Sequence, residues 1–544
     1  MNDVETLKRE KKKSQTLLSK DNTHSFEEGR AHASRSLAHR IFFTLDTENK
    51  GVLNAQSLIK KLELMGLRRD DRRLRDFFDA LNVHESHEIT FSKFEQCLGN
   101  SSLLIDRGLK GNLIIPRFSE FTDTIRSIYD EVRTTKDGRV ANYIPQLANV
   151  DPNKFAISVC TIDGQRFSIG DFEETFSIQS TSKPITYCLA LEEHGEAKVH
   201  SHVGREPSGV SFNALTLNNQ RLPHNPMINS GAIMCCSLIK QELTPADRFD
   251  YVLEKWSQLS GGVRPIFNNS VYLSEKATAD RNFALAYFMR ENKAFPQGIN
   301  INEILDYYFQ CCSMELSTDQ FAVVASTLAN GGICPMTGSR VLSNQSVKNC
   351  LSLMASCGMY DYSGEFAFSI GLPAKSGVGG GLLLVVPNLM GICIWSPLLD
   401  STGNSIKGLA VCRKLIQKYN LHNFDSLIGS KDSKADLRLQ KNQTKMDGVM
   451  ALCWAAYQGD LLEVQQLIAR GVNANEGDYD GRTPLHLACS EGHLAVAQFL
   501  IAQGAKIEVE DRWKGTPLQD AQRGGHQNVE QYIHDLLGSA RSLN

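Results

Sequence analysis

The chain has 544 residues, 42% of them hydrophobic and 22% charged, with a formal net charge of -3 at pH 7. These proportions are ordinary for soluble globular proteins and suit about two to four domains at roughly 150 residues each. So small a net charge gives no long-range field toward nucleic acid or an anionic membrane. No run reaches the ~18 apolar residues that span a bilayer.

The 14 cysteines are scattered, with two adjacent pairs (Cys235-Cys236 and Cys311-Cys312) and no CxxC. They read as buried free thiols of a reducing compartment, not as a disulfide or zinc framework. Residues 1–33 are polar and charged and are expected to be disordered. Lys8 to Lys13 are basic, but Asp3, Glu5 and Glu10 interrupt the pattern, and no apolar signal core is present. A mitochondrial presequence is usually poor in such acids.

Residues 34–115 carry a helical pattern broken twice. The first break, Asp46 to Gly51 and onward, resembles an EF-hand loop. Calcium needs oxygen ligands at alternating loop positions and a bidentate Glu at the twelfth. Here the fifth position is Lys50 and the twelfth is Ser57. The second break, Asn82 to Lys93, lacks the central Gly and ends in Lys93. An EF-hand-like helical domain without metal is expected, serving assembly rather than sensing.

Residues 118–428 mix helix and strand signals. Leu382 to Trp395, interrupted by Pro387 and Asn388, reads as two short strands around a turn. Residues 429–446 are a linker by composition. From 447 to 540, Thr483-Pro-Leu-His486 recurs 33 residues later as Thr516-Pro-Leu518, with Gly459, Gly492 and Gly525 following in register. That period and motif are the ankyrin signature. Thr caps each helix and Pro occupies its first turn. About three repeats must stack to bury their apolar faces, and such arrays bind protein partners of many kinds.

The candidate nucleophile lies in Gln179-Ser180-Thr-Ser-Lys183-Pro184. Ser-x-x-Lys at a helix start puts both side chains on one face. A hydroxyl needs a base, and a lysine whose pKa burial depresses can serve. Ser57-x-x-Lys60 and Ser237-x-x-Lys240 share the spacing. Ser180 is favoured over them by a strand-like run before it and a helical run after it, a junction that exposes a side chain beside helix N–H groups. It is also favoured by the late Lys375-Ser376-Gly377, because Ser-x-x-Lys with Lys-Ser/Thr-Gly on an edge strand is the pairing of penicillin-binding enzymes. In that arrangement the N–H groups of Val378 and Ser180 form an oxyanion hole.

Beyond these residues, Ala141-Asn-Tyr143-Ile-Pro, His224-Asn-Pro-Met-Ile-Asn229-Ser-Gly, Ser274-Glu275, Asp280-Arg-Asn282-Phe, Tyr308-Phe-Gln310, Ser356-Cys-Gly-Met-Tyr360 and Gly371-Leu-Pro-Ala-Lys-Ser-Gly-Val378 follow in order. In this set the segment resembles the catalytic domain of the animal glutaminases, kidney-type and liver-type, and the flanking modules match the same architecture. The resemblance implies a multidomain α+β protein. An EF-hand-like module would precede a β-lactamase/penicillin-binding-like catalytic domain, with ankyrin repeats after it. It implies hydrolysis of L-glutamine to L-glutamate and ammonia through a serine acyl-enzyme. Ser180 would be the nucleophile, Lys183 the base, and Tyr360 and Tyr143 the proton relay. Gln179, Asn229, Glu275, Asn282 and Tyr308 would grip the α-amino and α-carboxylate groups, alongside Ser180, Tyr360 and Val378. Considered singly, Glu275 would be a charge in the first turn of a helix and Asn229 a helix cap.

The resemblance further implies at least a homotetramer, a dimer of dimers that extends to filaments. It also implies a mitochondrial location, against a cytoplasmic one suggested by the visible N-terminus. No cofactor and no metal are expected: His84-Glu-Ser-His87 has the wrong spacing for a zinc helix, and no dinucleotide fingerprint occurs. Activation by inorganic phosphate is left open. The resemblance implies that the loop Gly204 to Asn218 gates activity, and this chain carries Ala214 where relatives often have a basic residue and Thr216 where they often have an aromatic. Tyr287-Phe288 stands where a dimer-contact pair is common. Two other readings remain at this level. A penicillin-binding or β-lactamase-like acyl transferase would share Ser180, Lys183 and the Lys375 strand. A non-catalytic ankyrin scaffold would carry a damaged set.

Overall fold

The computed structural model describes residues 38–541, apart from 40, 44, 47–49, 83–87, 99–100, 110–111, 426–433, 438–439 and 470–471. The segment 1–33 and the His84–His87 pair lie outside the described residues. The chain divides into two compact units, residues 1–437 and 438–544.

The first unit opens with the EF-hand-like module: β1 (Val52–Asn54), α1 (Ala55–Leu64), α2 (Arg75–Asn82), β2 (Glu88–Thr90), α3 (Phe91–Leu98) and α4 (Ser102–Leu109). β1 and β2 pair antiparallel, and Leu58, Leu62, Phe77, Phe78 and Phe94 close a core at helical spacing. Buried Asp46 accepts the N–H groups of Lys50 at 2.9 Å and Gly51 at 2.7 Å, so its carboxylate serves the backbone of the loop. Ser57, at the twelfth position, sits in the first turn of α1, where Asn54 caps its N–H. Among the described residues, no group of three or more His, Cys, Asp or Glu could hold a metal ion.

The catalytic domain continues through α5 (Phe118–Val132), α6 (Pro145–Ala148), β3 (Ala156–Thr161), β4 (Arg166–Gly170), β5 (Thr175–Ser177), α7 (Lys183–His200), α8 (Asn229–Cys236), α9 (Pro245–Leu259) and β6 (Ile266–Phe267). Then come α10 (Asn269–Ala277), α11 (Asp280–Glu291), α12 (Ile301–Cys312), β7 (Met314–Ser317), α13 (Thr318–Ala329) and α14 (Asn344–Cys357). α15 (Ser363–Ser369), β8 (Ala374–Ser376), β9 (Gly381–Val386), β10 (Met390–Trp395) and α16 (Ile406–Lys418) complete it.

Five strands form an antiparallel sheet in the order β4-β3-β10-β9-β8. β3, β9 and β10 are buried throughout, because helices cover both faces. The two-residue period of a strand divides their side chains. Leu383, Val385, Cys393 and Trp395 enter the core that holds α7, α8, α12 and α13. Leu382, Leu384, Ile392 and Ile394 enter the other core, with α5 and α16. Residues 382–395 are the expected strand–turn–strand. α13 lies so close to β10 that a Cβ on Gly391 would sit 2.1 Å from the Ser326 nitrogen. A second, three-stranded sheet runs β5-β7-β6.

All 14 cysteines are free and buried. Trp256 and Trp395 are likewise enclosed. Among the described residues, no helix is long and apolar enough to cross a membrane.

The second unit stacks α17 (Gln440–Gln458), α18 (Leu461–Ala469), α19 (Pro484–Ser490), α20 (Leu494–Ala502), α21 (Pro517–Gly524) and α22 (Gln527–Arg541). α17 begins inside the segment read as a linker. Thr483 and Thr516 form capping boxes with His486 and Gln519, each with Pro in the first turn. His486 also reaches the Gly515 carbonyl of the next repeat at 3.1 Å, so the motif histidine ties neighbours together. Trp454 and Trp513 stand exposed at 65% and 63%.

Candidate active site

Ser180 follows β5 within a 3-10 turn, Gln179–Ser182, that runs into α7 at Lys183. In a 3-10 turn, residues three apart eclipse one another. That brings the Lys183 Nζ to 2.8 Å from the Ser180 Oγ, both fully inside the protein. Lys183 also donates to the Asn229 Oδ1 at 2.7 Å. Burial pulls the Lys183 pKa down to about 8, against the charge of Glu275 and neighbouring thiols, which work to raise it. A neutral amine held by Asn229 can therefore accept the Ser180 proton.

The rival pairs make no such contact. Ser57 and Lys60 are exposed on α1. Ser237 donates to the Met234 carbonyl at 2.7 Å, while Lys240 turns toward Glu193, 3.7 Å away.

Glu275 is buried near the C-terminal end of α10, not in the first turn of a helix. A carboxylate there opposes the helix dipole, so helix stability does not explain it. Tyr143 donates to it at 2.7 Å and the Gln179 amide at 3.0 Å. Burial pushes the Glu275 pKa up, and these hydrogen bonds and the Lys183 charge work to lower it. Tyr143 leaves its ring exposed and sends its hydroxyl inward. Burial, then the charge of Glu275, raises its pKa well above normal.

Asn229 opens α8 but spends its side chain elsewhere than on a cap: its amide donates to the Asn282 Oδ1 at 3.1 Å. Tyr308, buried on α12, has its phenol pKa raised well above normal, first by burial, then by Cys312 and Glu275. Tyr360 is buried, and burial raises its pKa. The Ser180 hydroxyl and the Val378 N–H are near enough to work against that rise. Val378 is held there by close backbone contact. A Cβ on Gly377 would come 2.9 Å from the Ile178 carbonyl oxygen, and one on Gly379 would come 2.3 Å from that of Ser177. All ten expected site residues thus fall in one region.

Two residues beyond them also belong to it. Lys375, named only for its strand, is fully buried; its amine donates to the Gly358 carbonyl at 3.0 Å and the Ser376 carbonyl at 2.7 Å, and lies 4.4 Å from the centre of the Tyr360 ring. The Lys375-Ser-Gly motif was the signal for this role. Ser177 accepts the Gln179 amide at 3.1 Å and donates to the Cys312 carbonyl, also at 3.1 Å. Nothing in the sequence marked it. Beside Tyr360, Phe212 of the Gly204–Asn218 loop packs its ring 4.6 Å away, and Pro207 to Phe212 line a cavity of about 460 Å3 together with Tyr360.

A sheet buried between helical layers, a Ser-x-x-Lys turn against one face and a Lys-Ser-Gly edge strand define a β-lactamase-like hydrolase. The Glutaminase family model matches residues 138–424, flanked by an EF-hand domain at 37–116 and Ankyrin repeats (3 copies) at 409–511 and 452–536. Putative glutaminase 2 of Caenorhabditis elegans is 42% identical over 454 residues, 81% of this chain and 75% of that protein. The mitochondrial liver isoform of glutaminase from Rattus norvegicus is 41% identical over 448 residues, 81% and 74% of the two chains. The solved structure of a probable glutaminase, ybaS, covers 54% of this chain and 94% of its own at 37% identity and a TM-score of 0.52. The chain belongs to the glutaminase family. It is a hydrolase that converts glutamine to glutamate.

Proposed function

We propose that this hydrolysis proceeds through an acyl-enzyme on Ser180. Neutral Lys183 takes the hydroxyl proton as Oγ bonds to the side-chain amide carbon of glutamine. The carbonyl oxygen becomes an oxyanion facing the N–H groups of Ser180 and Val378, donors that gain strength in a water-poor site. As the C–N bond breaks, Tyr360, with Tyr143 behind it, relays the proton that Lys183 took to the leaving nitrogen, which restores neutral Lys183, and ammonia departs. Water then attacks the ester and gives up a proton to the same groups, that proton passes to the Ser180 Oγ as its bond to the acyl carbon breaks, and glutamate leaves. Glu275, with Gln179 and Tyr143, receives the substrate ammonium; Asn229, Asn282 and Tyr308 receive its α-carboxylate. The reading rests on the 2.8 Å contact between Lys183 and Ser180 in a buried setting.

This chemistry calls for no cofactor. The acyl-transferase alternative shares the nucleophile but offers no reason for Glu275 to be buried beside Tyr143 and Gln179. By family resemblance the active species is a homotetramer that extends to filaments, and the ankyrin unit recruits a protein partner. The mitochondrial naming of the liver isoforms supports the same compartment here. Ammonia release from glutamine by wild type and Ser180→Ala, with and without inorganic phosphate, tests the reading. Ser180→Ala should lose activity by about a thousandfold or more, and a variant with wild-type turnover would defeat the proposal.

A further inference from the structure

The EF-hand-like module meets the catalytic domain through a cluster of four charges. Arg68 donates to Asp319 at 2.7 Å, and Arg166 reaches the other oxygen of Asp319 at 3.3 Å. Arg166 also pairs with Asp70 at 2.7 Å, Asp70 with Arg68 at 3.2 Å, and Ser168 donates to Asp319 at 2.8 Å. Arg166 is buried, and its Nε has no partner among the described residues, so its terminal nitrogens alone orient it. Arg68 and Asp70 come from the module; Arg166 and Asp319 come from β4 and α13.

Asp319 stands in the first turn of α13, whose cap, Ser317, ends β7. β7 is the middle strand of the small sheet. On one side it pairs with β5, Thr175 opposite Ser317 and Ser177 opposite Glu315, and the Ile178 N–H reaches the Met314 carbonyl at 2.9 Å. The next two residues are Gln179 and Ser180. On the other side it pairs with β6, and the Asn268 amide donates to Glu315 at 2.6 Å. Asn268 caps α10, the helix that carries Glu275. One short strand, anchored at one end by the charge cluster, therefore sets the place of both the nucleophile and the substrate-binding carboxylate.

We propose that Arg68 and Asp70 of the EF-hand-like module are positioning residues for glutamine hydrolysis, acting through Asp319 and β7 on Ser180 and Glu275. The inference rests on the site proposed above. Small displacements of reacting groups are costly, since a shift near 1 Å can lose about a hundredfold in rate. A module that merely docked would leave the turnover of folded enzyme unchanged.

The test uses the full chain, with kcat and KM for glutamine measured for Arg68→Ala, Asp70→Asn and Arg68→Lys beside Ser180→Ala. Folded fraction is read by circular dichroism. Arg68→Ala and Asp70→Asn should each lower kcat per folded molecule by about tenfold. Arg68→Lys should regain most of the loss, because one N–H is enough to hold the near oxygen of Asp319. If Arg68→Ala fails to fold, Arg68→Gln and Asp319→Asn carry the same expectation. Three results would overturn the proposal: kcat and KM within about twofold of wild type, loss that only follows the folded fraction, or Lys no better than Ala. Activity surviving in Ser180→Ala would instead remove the site reading itself, and that arm is scored separately.

Discussion

An exposed lysine amine keeps its proton to roughly pH 10.4, which would leave Ser180 without a base at neutral pH. Burial brings Lys183 down to about 8, and it draws Lys375 well below its usual range, with the Lys183 charge adding to the effect. A depressed lysine pKa enlarges the neutral fraction, and only the neutral amine accepts a proton. The kcat/KM for glutamine should therefore climb from pH 7 and level off above about 8. A profile flat across that range would show that Lys183 is not the base. Backbone strain accompanies the chemistry. Gln179 and Tyr360 hold φ of 49° and 53°, a conformation that costs a non-glycine residue about 1–3 kcal/mol and persists where surrounding contacts enforce it. Serine and lysine three apart were readable as a pair because the motif is local. The second buried lysine was readable only as a strand marker, since its contacts with Gly358 and Tyr360 depend on how distant segments close.

At the level of elements, the hairpin β9–β10 and the junction around Ser180 follow from local pattern: apolar runs flanking Pro387-Asn388, and a strand signal that gives way to Pro184 and a helical run. The 3-10 turn between them does not. Only the packing of β5, β7 and the Gly377–Gly379 segment fixes it, and that packing is non-local. Glu275 illustrates the same divide: its helix was foreseeable, but its place near the C-terminal end was not. The close approach behind Val378 makes a specific demand. With the Ser177 carbonyl oxygen 2.3 Å from where a Cβ would stand, Gly379→Ala must push the turn away from β5. The variant should lose about 1–3 kcal/mol of stability, read as a lower midpoint of heat unfolding, and its kcat should fall more than its KM rises, because the displaced N–H belongs to the proposed oxyanion hole. Unchanged kcat would remove Val378 from the proposed hole.

For the whole molecule, the ankyrin unit was the most legible part, because its information repeats every 33 residues and each repeat touches only its neighbours. The charge cluster joining Arg68 to Asp319 was the least, since 251 residues separate the two and neither lies in a motif. The two units share no core: the first holds one on each face of the sandwiched sheet and a third in the EF-hand-like module, and another threads the repeats. The four tryptophans fall along the same line. Trp256 and Trp395 are 1% and 2% exposed in the catalytic unit, whereas Trp454 and Trp513 face water in the repeats. Indole fluorescence should therefore split into a blue component shielded from iodide and a red component that iodide quenches. Each colour then serves as an internal dye for one half of the chain, and a denaturant titration followed at both wavelengths would report whether the halves melt together or apart without any label being attached.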